Sequence, residues 1–172
     1  MNDNAALFAV DPAVAPDGTL TFRPAVDANG TATVTVTAHD DGGTANGGSD
    51  TSAPHSFTLT VAPVNDPPSF TKGPDQSVVG LLGAQTIPGW ATAISPGPAN
   101  ESSQNVTFEV SNDNNSLFAV QPAISPSGTL TFTPALLALG SATVTVRAHD
   151  DGGSANGGVD TSPPQTFTIT IL

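Results

Sequence analysis

Short clusters of acidic and amide side chains are the main candidates for chemistry in this chain. Three clusters stand out: Asp40-Asp41, Asn65-Asp66 and Asp150-Asp151. Carboxylate and asparagine oxygens are the hard ligands that Ca²⁺ gathers, about six to eight at a time. The other interpretation of each cluster is structural, because Asp and Asn also stabilise turns by hydrogen-bonding to nearby backbone.

The charge balance restricts the classes of partner. The formal net charge is −12, and the basic side chains are Arg23, Lys72 and Arg147. Nucleic-acid binding depends on Lys and Arg that displace counterions from phosphates, so a nucleic acid is excluded as a partner, and an anionic membrane surface is disfavoured for the same reason. A divalent cation complements such a surface, although acidity also serves solubility alone.

Nothing in the sequence indicates catalysis. There is no cysteine, which excludes disulfides and thiolate metal sites. His39 and His149 recur beside aspartates, but neither has further His, Cys or Glu partners at ligand spacing. No nucleophile-elbow sequence or phosphate-binding glycine loop is present. We therefore predict that the protein is not an enzyme.

An internal repeat determines the domain organisation. The sequence from Asn2 onward matches the sequence from Asn112 onward without a gap, so the period is about 110 residues, close to the size of an immunoglobulin-type sandwich. Residues 69–111 have no earlier counterpart. We predict three parts: residues 1–62 as the later part of a truncated repeat, 63–68 as a proline-rich linker, and 69–172 as a complete repeat.

Alternation of apolar and hydroxyl residues predicts strands. Within residues 33–37 and 143–147, valines alternate with threonine or arginine, which gives each segment one face to bury and one face for water. Further strands are predicted at residues 76–79, 84–87, 105–110, 129–133 and 166–171. Turn residues separate these segments. The fold class is therefore all-β, with antiparallel immunoglobulin-like sandwich repeats in tandem.

The only tryptophan, Trp90, has two interpretations. It packs in or beside the core of the complete repeat, or it is exposed and stacks against a carbohydrate. Carbohydrate platforms usually carry several exposed aromatic residues, and this chain is poor in them. We expect Trp90 to lie in the core.

The residues around the linker resemble those of a known family. Ala38-His39-Asp40-Asp41-Gly42 is followed by an alternating strand and then by Val64-Asn65-Asp66, and the same turn returns at residues 148–152. This order is similar to that of cadherin-like repeats in long bacterial surface proteins. The resemblance extends over nearly the whole chain.

The resemblance implies calcium between successive repeats. It assigns Asp40, Asp41, Asn65 and Asp66 to one site at the junction. It assigns Asp150 and Asp151 to a second site that a following repeat would complete. The chain departs from the family pattern at Pro63, where an aspartate is usual, and residues 77–82 contain no acid.

The functional expectation is a cadherin-like adhesion or spacer module at the cell surface, outside the cell. Its partners would be neighbouring repeats and a cell-surface protein or glycan. A ligand-free stalk repeat and a carbohydrate-binding accessory module of a secreted enzyme are the alternatives. The sequence contains no signal peptide and no apolar run of about 20 residues for membrane insertion. Strands that lack sheet partners in the truncated repeat predict either self-association or partial disorder of that repeat.

Overall fold

The computed structural model describes residues 1–79 and 83–172 and divides the chain into two compact units, Met1–Pro63 and Val64–Leu172. Among these described residues, the first unit contains four strands and the second contains nine. The strands of the first unit are β1 (Phe8–Val14), β2 (Leu20–Pro24), β3 (Gly30–Val36) and β4 (His55–Val61). Short 3-10 turns occupy Ala5–Leu7 and Ala45–Gly47.

The second unit begins with strands that the first unit lacks: β5 (Ser69–Thr71), β6 (Gln76–Val78), β7 (Gln85–Ile87), β8 (Thr92–Ser95) and β9 (Val106–Asn112). It continues with the counterparts of β1 to β4: β10 (Phe118–Ile124), β11 (Leu130–Pro134), β12 (Gly140–Asp150) and β13 (Gln165–Ile171). Single 3-10 turns lie at Ala99–Glu101, Asn115–Leu117 and Ala155–Gly157.

Two sheets form the sandwich of the second unit. One has the order β10-β11-β7, and the other has the order β6-β13-β12-β9. All neighbours are antiparallel except β6 and β13, which run parallel, with Ile169 opposite Gln76 and Ile171 opposite Val78. A small pair, β5-β8, lies outside these sheets in the strand order. The predicted all-β sandwich class is confirmed.

The core of the second unit follows the alternation in the sequence. Val144, Val146 and Ala148 on β12 are fully buried, while Arg147 between them and Thr143 before them are exposed. Leu130 and Phe132 on β11 bury their side chains in the same cluster. Each strand therefore contributes one apolar face to the core and leaves the hydroxyl face in water, as its period of two requires.

Trp90 belongs to this core, as expected. Its side chain is 2% exposed, and its ring centroid lies 4.3 Å from that of Phe167. The indole Nε1 donates a hydrogen bond of 3.0 Å to the backbone oxygen of Pro74. This satisfies the polar atom that a buried tryptophan must pair.

The strands differ from the sequence prediction in extent and in number. β12 continues to Asp150, four residues beyond Val146, which is the last β12 residue paired with β13, because β9 pairs with β12 as far as the Asp150–Val106 position. β10 was not predicted, since Pro122 interrupts its alternation, and the predicted segments also left out β1, β5 and β8. The acid-free stretch at residues 77–82 falls partly on Gly80–Leu82, which lie outside the described residues.

In the part of the chain that is described, no helix has the length and apolarity to cross a membrane.

Candidate functional site

Asp150 is the last residue of β12 and begins the turn that follows this strand. Asp150 Oδ1 accepts a hydrogen bond from the backbone N–H of Gly152 at 2.9 Å, and the backbone N–H of Asp150 donates to Asp160 at 3.0 Å. This is the Asx-type turn that the aspartate and the glycine favour. The first unit builds the same turn at Asp40, whose Oδ1 accepts from Gly42 N–H at 2.8 Å.

Asn65 lies near the start of the second unit and is hydrogen-bonded to this turn and the loop that follows it. Its Nδ2 donates to Asp150 Oδ1 and to the backbone oxygen of Val159, each at 2.9 Å. Its Oδ1 accepts from Gln104 Nε2 at 2.8 Å, and Val159 N–H donates to its backbone oxygen at 2.9 Å. Asn65 is buried, and these bonds use both the donor and the acceptor of its amide.

Two glycines make room for Asn65. A Cβ at Gly152 would overlap Asn65 Oδ1 and would lie 2.5 Å from Gln104 Nε2. A Cβ at Gly158 would lie 2.8 Å from the backbone nitrogen of Asn65. Real Cβ atoms do not approach so closely, so Asn65 can occupy this position only when residues 152 and 158 are both glycine.

Glu101 is hydrogen-bonded to Asp66, the residue after Asn65. Its Oε1 accepts a 3.0 Å hydrogen bond from the backbone N–H of Asp66, and its side chain is 5% exposed. A Cβ at Gly97 would overlap the other oxygen, Oε2. Two buried carboxylates, Glu101 and Asp150, are thus hydrogen-bonded to consecutive residues of the linker.

Each of these carboxylates leaves one oxygen without a partner. Glu101 Oε2, Asp150 Oδ2 and Gln104 Oε1 are the buried side-chain acceptors that make no hydrogen bond within residues 1–79 and 83–172. In the same residues, no salt bridge reaches Glu101 or Asp150. A buried charge is costly unless it is paired. Three oxygen acceptors in one network therefore favour a positively charged ligand.

The arrangement does not contain a carboxylate-rich metal cage. No group of three or more His, Cys, Asp or Glu side chains is placed to hold a metal ion among the residues described. A cation at this end of the unit would therefore need amide and backbone oxygens beside the two buried carboxylates. Asn65 and Gln104 supply amide oxygens, and Asp66 is half-buried next to Asn65.

The sequence-predicted site residues fall into three environments. Asn65 and Asp66 lie with Asp150 in the network of the second unit, although the sequence assigned Asp150 to a separate site. Asp40 and Asp41 are exposed and belong to the first unit, so their grouping with Asn65 and Asp66 stays a prediction.

Asp151 is hydrogen-bonded to Asn105. It is exposed, and its two carboxylate oxygens accept hydrogen bonds from Asn105, one from the backbone N–H at 2.9 Å and one from Nδ2 at 2.8 Å. Its pairing with Asp150 in a site completed by a following repeat stays a prediction.

Glu101 and Gln104 were missed by the sequence analysis. Both lie in the segment that has no copy in the first repeat, so the comparison of repeats could not draw attention to them. The available signal was modest: Glu101 is an acid directly after the Pro98-Ala99-Asn100 turn and before a predicted strand.

The pKa of Asp151 depends on its hydrogen bonds with Asn105. The hydrogen bonds from the Asn105 side chain and backbone lower the pKa of Asp151 below its ordinary value. Because the folded pKa lies below the unfolded one, ionised Asp151 favours the folded state above about pH 4, and this contribution is lost as the pH falls through the folded pKa. We expect Asn105→Ala to raise the pKa of Asp151 in a carboxyl NMR titration.

Asp17 is the internal control for that titration. Its pKa is lowered by hydrogen bonds from Thr19, far from Asn105 in sequence and in the other unit. It should titrate identically in both proteins. An unchanged Asp151 midpoint in Asn105→Ala would contradict the assignment of the shift to Asn105.

Comparisons with known proteins support the fold. No protein-family model matches the chain, and no curated protein matches it. A crystal structure of human protocadherin-24 EC1-2 is similar to it, with a TM-score of 0.60 and 17% sequence identity over 98% of this chain and 78% of that chain. At this level of identity the similarity demonstrates a cadherin-like fold.

Proposed function

We propose that this chain is a non-catalytic, cadherin-like repeat module of a long extracellular surface protein. It serves adhesion or acts as a rigid spacer, and it binds Ca²⁺ at the linker end of the second unit. The cadherin-like fold supports an adhesion-type module. The strongly acidic composition and the oxygen-rich linker network support the cation.

One observation carries the calcium proposal: two buried carboxylates are bonded to neighbouring linker residues, and each has one oxygen that makes no hydrogen bond to any described residue. The groups that would hold the ion are the carboxylates of Asp150 and Glu101, aided by Asp66 and by the amide oxygens of Asn65 and Gln104. Ca²⁺ accepts such mixed oxygen sets in flexible geometry, whereas Mg²⁺ demands a near-ideal octahedron. The ion would compensate the buried charge and stiffen the linker.

Calcium titration followed by thermal unfolding tests the proposal. Binding to the folded state alone stabilises by about 2.7 kcal/mol at a free concentration of 100 Kd. We therefore expect Ca²⁺ to raise the Tm of the unit that contains Trp90 by several degrees, and Mg²⁺ at equal concentration to raise it less. Tryptophan fluorescence reports this unit, because Trp90 is the only tryptophan.

The repeat supplies a matched pair of variants. Asp150→Asn should abolish the calcium-dependent rise in Tm, and Asp40→Asn, at the same turn position of the first unit, should leave it intact. Loss of the rise in both variants would favour the junction site that includes Asp40. No response of the wild-type protein to Ca²⁺ or EDTA would overturn calcium binding.

A ligand-free stalk repeat is the second candidate, and a specific observation favours it. The Asn65 side chain already makes three hydrogen bonds that fasten the linker to the turn without an ion. The carbohydrate-binding alternative loses its main support, because Trp90 is buried and the chain has no other tryptophan.

A further inference from the structure

The loop between β11 and β12 exposes three leucines. Leu136, Leu137 and Leu139 are 81%, 78% and 74% exposed. The backbone N–H of Ala138 donates to the backbone oxygen of Ala135 at 3.1 Å, which closes the turn, and the Ala138 side chain packs against the core cluster. The three leucines therefore lie outside the core. We call residues 135–139 the leucine loop.

Exposure is a property of this loop position in both repeats. Val26, the counterpart of Leu136 in the first unit, is 88% exposed. A single exposed apolar side chain is ordinary, whereas a group of large ones marks an interaction site. The second unit differs from the first in that it places a group of leucines at a position that is exposed in each.

The first repeat builds the same loop without leucine. In its matched loop, residues 25–29, Asp27 takes the place of Leu137. Asn29 takes the place of Leu139, and the equivalent backbone hydrogen bond closes the turn. Asp and Asn favour turns because their side chains hydrogen-bond to nearby backbone. The folding of the loop therefore does not explain the leucines.

The backbone conformation of Leu137 is unfavourable for leucine. Its φ is 58°, the same value as that of Asp27. This left-handed region is uncommon for residues other than glycine, and Asp and Asn adopt it more readily than a bulky side chain does. Leu137 is thus strained as well as exposed, so it does not stabilise the fold. Such an outlier indicates a role outside the fold.

The chain around the leucine loop carries no charge. Residues 114–146, which include β10, β11 and the loop, contain no Asp, Glu, Lys, Arg or His. The matched stretch of the first repeat, residues 4–36, has four charged side chains: Asp11, Asp17, Arg23 and Asp27. The same positions of the second repeat hold Gln121, Ser127, Thr133 and Leu137. The two repeats therefore differ at every charged position of this stretch.

The neighbours that other parts of the chain bring to the loop are neutral too. Gly140, directly after the loop, pairs with Ile171 of β13. The backbone N–H of Ala135 donates to the backbone oxygen of Leu117 at 2.9 Å. In a protein with a formal net charge of −12, this end of the second unit is thus an uncharged, apolar surface.

We propose that the leucine loop is a self-association surface through which two copies of this chain form a dimer. Like charge keeps acidic copies apart, so they approach at the lowest cost where neither carries charge. The leucines of the two copies then remove one another from water. A two-fold axis through the contact lets the same loop form both halves of it. Three leucines a copy make a small contact, so the dimer is a weak one.

Sedimentation equilibrium of the full chain in EDTA tests this proposal. The mean mass should rise from one chain towards two as the protein concentration increases. Because EDTA removes calcium, a failure here leaves the proposed calcium site untouched, and a failure of that site leaves the dimer untouched. A mass of one chain at every concentration would overturn the proposal.

Two aspartate substitutions locate the contact. Leu137→Asp should weaken the association constant by about tenfold or more. This variant should fold, because Asp27 occupies the same position of the first repeat with the same φ. Val26→Asp adds the same charge to the matched loop of the first unit and should leave the constant unchanged. Equal weakening by both substitutions, or by neither, would refute the leucine loop as the contact.

Salt and lipid distinguish the dimer from other modes of association. Added salt screens the repulsion between acidic copies, so it should strengthen an apolar dimer. Weakening by salt would contradict an uncharged contact. An uncharged lipid surface is the competing occupant, and flotation with phosphatidylcholine vesicles tests it. The wild-type protein should remain unbound; flotation that Leu137→Asp abolishes, without a dimer in solution, would refute self-association.

Discussion

Phe132→Ala should lower the free energy of unfolding of the second unit by about 3–5 kcal/mol. Phe132 is 1% exposed, and its ring packs edge-on against Phe118 with centroids 5.9 Å apart. The substitution removes the buried aromatic area and leaves a cavity that the surrounding strands cannot fill without moving. Urea unfolding followed by Trp90 fluorescence measures the change.

The same substitution in the first repeat is the control. Phe22 occupies the position of Phe132 in the repeat and contacts Phe8 in a similar edge-on geometry, but it is 41% exposed. Phe22→Ala should leave the transition reported by Trp90 within about 0.5 kcal/mol of the wild type. Equal losses in the two variants would contradict the view that only the second unit has a closed core at this position.

Asn65→Leu should destabilise the second unit by about 2–4 kcal/mol in EDTA. The leucine cannot donate to Asp150 or Val159 and cannot accept from Gln104, so the buried Asp150 carboxylate and two partly buried groups each lose a partner. Hydrogen bonds to a buried charged group are among the most costly to lose. The same fluorescence-detected urea transition gives the value.

Asp66→Ala is the matched control for Asn65→Leu. The bond from residue 66 to Glu101 comes from the backbone N–H, which alanine keeps. We expect a change below about 1 kcal/mol. If Asn65→Leu changed the free energy of unfolding no more than this control, the hydrogen bonds of the linker network would not contribute measurably to stability.

Local patterns were sufficient for most strands. Alternating valine and threonine predicted β3 and β12, and phenylalanine and isoleucine at every second residue predicted β13. Alternation fails where a strand carries proline, as at Pro122 in β10. It also could not show that β12 extends to Asp150, because that extension depends on pairing with β9, more than 35 residues away in sequence.

The candidate site could be predicted less completely from the sequence than the strands. Asn65 and Asp150 are 85 residues apart, and only the folded unit brings the amide against the carboxylate. Residue types identified both as oxygen ligands, but they could not indicate which turn the linker would contact. The repeat suggested the turn at Asp40 because it precedes the linker, while the contact within the second unit is with the turn that follows the linker in the chain.

The parallel pairing of β6 with β13 has a mechanical consequence. These strands lie close to the two ends of the second unit, and their bonds include that from Leu172 N–H to the backbone oxygen of Val78 at 2.9 Å. Tension applied along the chain draws the two strands in opposite directions, so their bonds are loaded together in shear and do not open one after another. Forced rupture is governed by the unfolding rate, so we expect this strand pair to set the load that the second unit withstands when it is stretched.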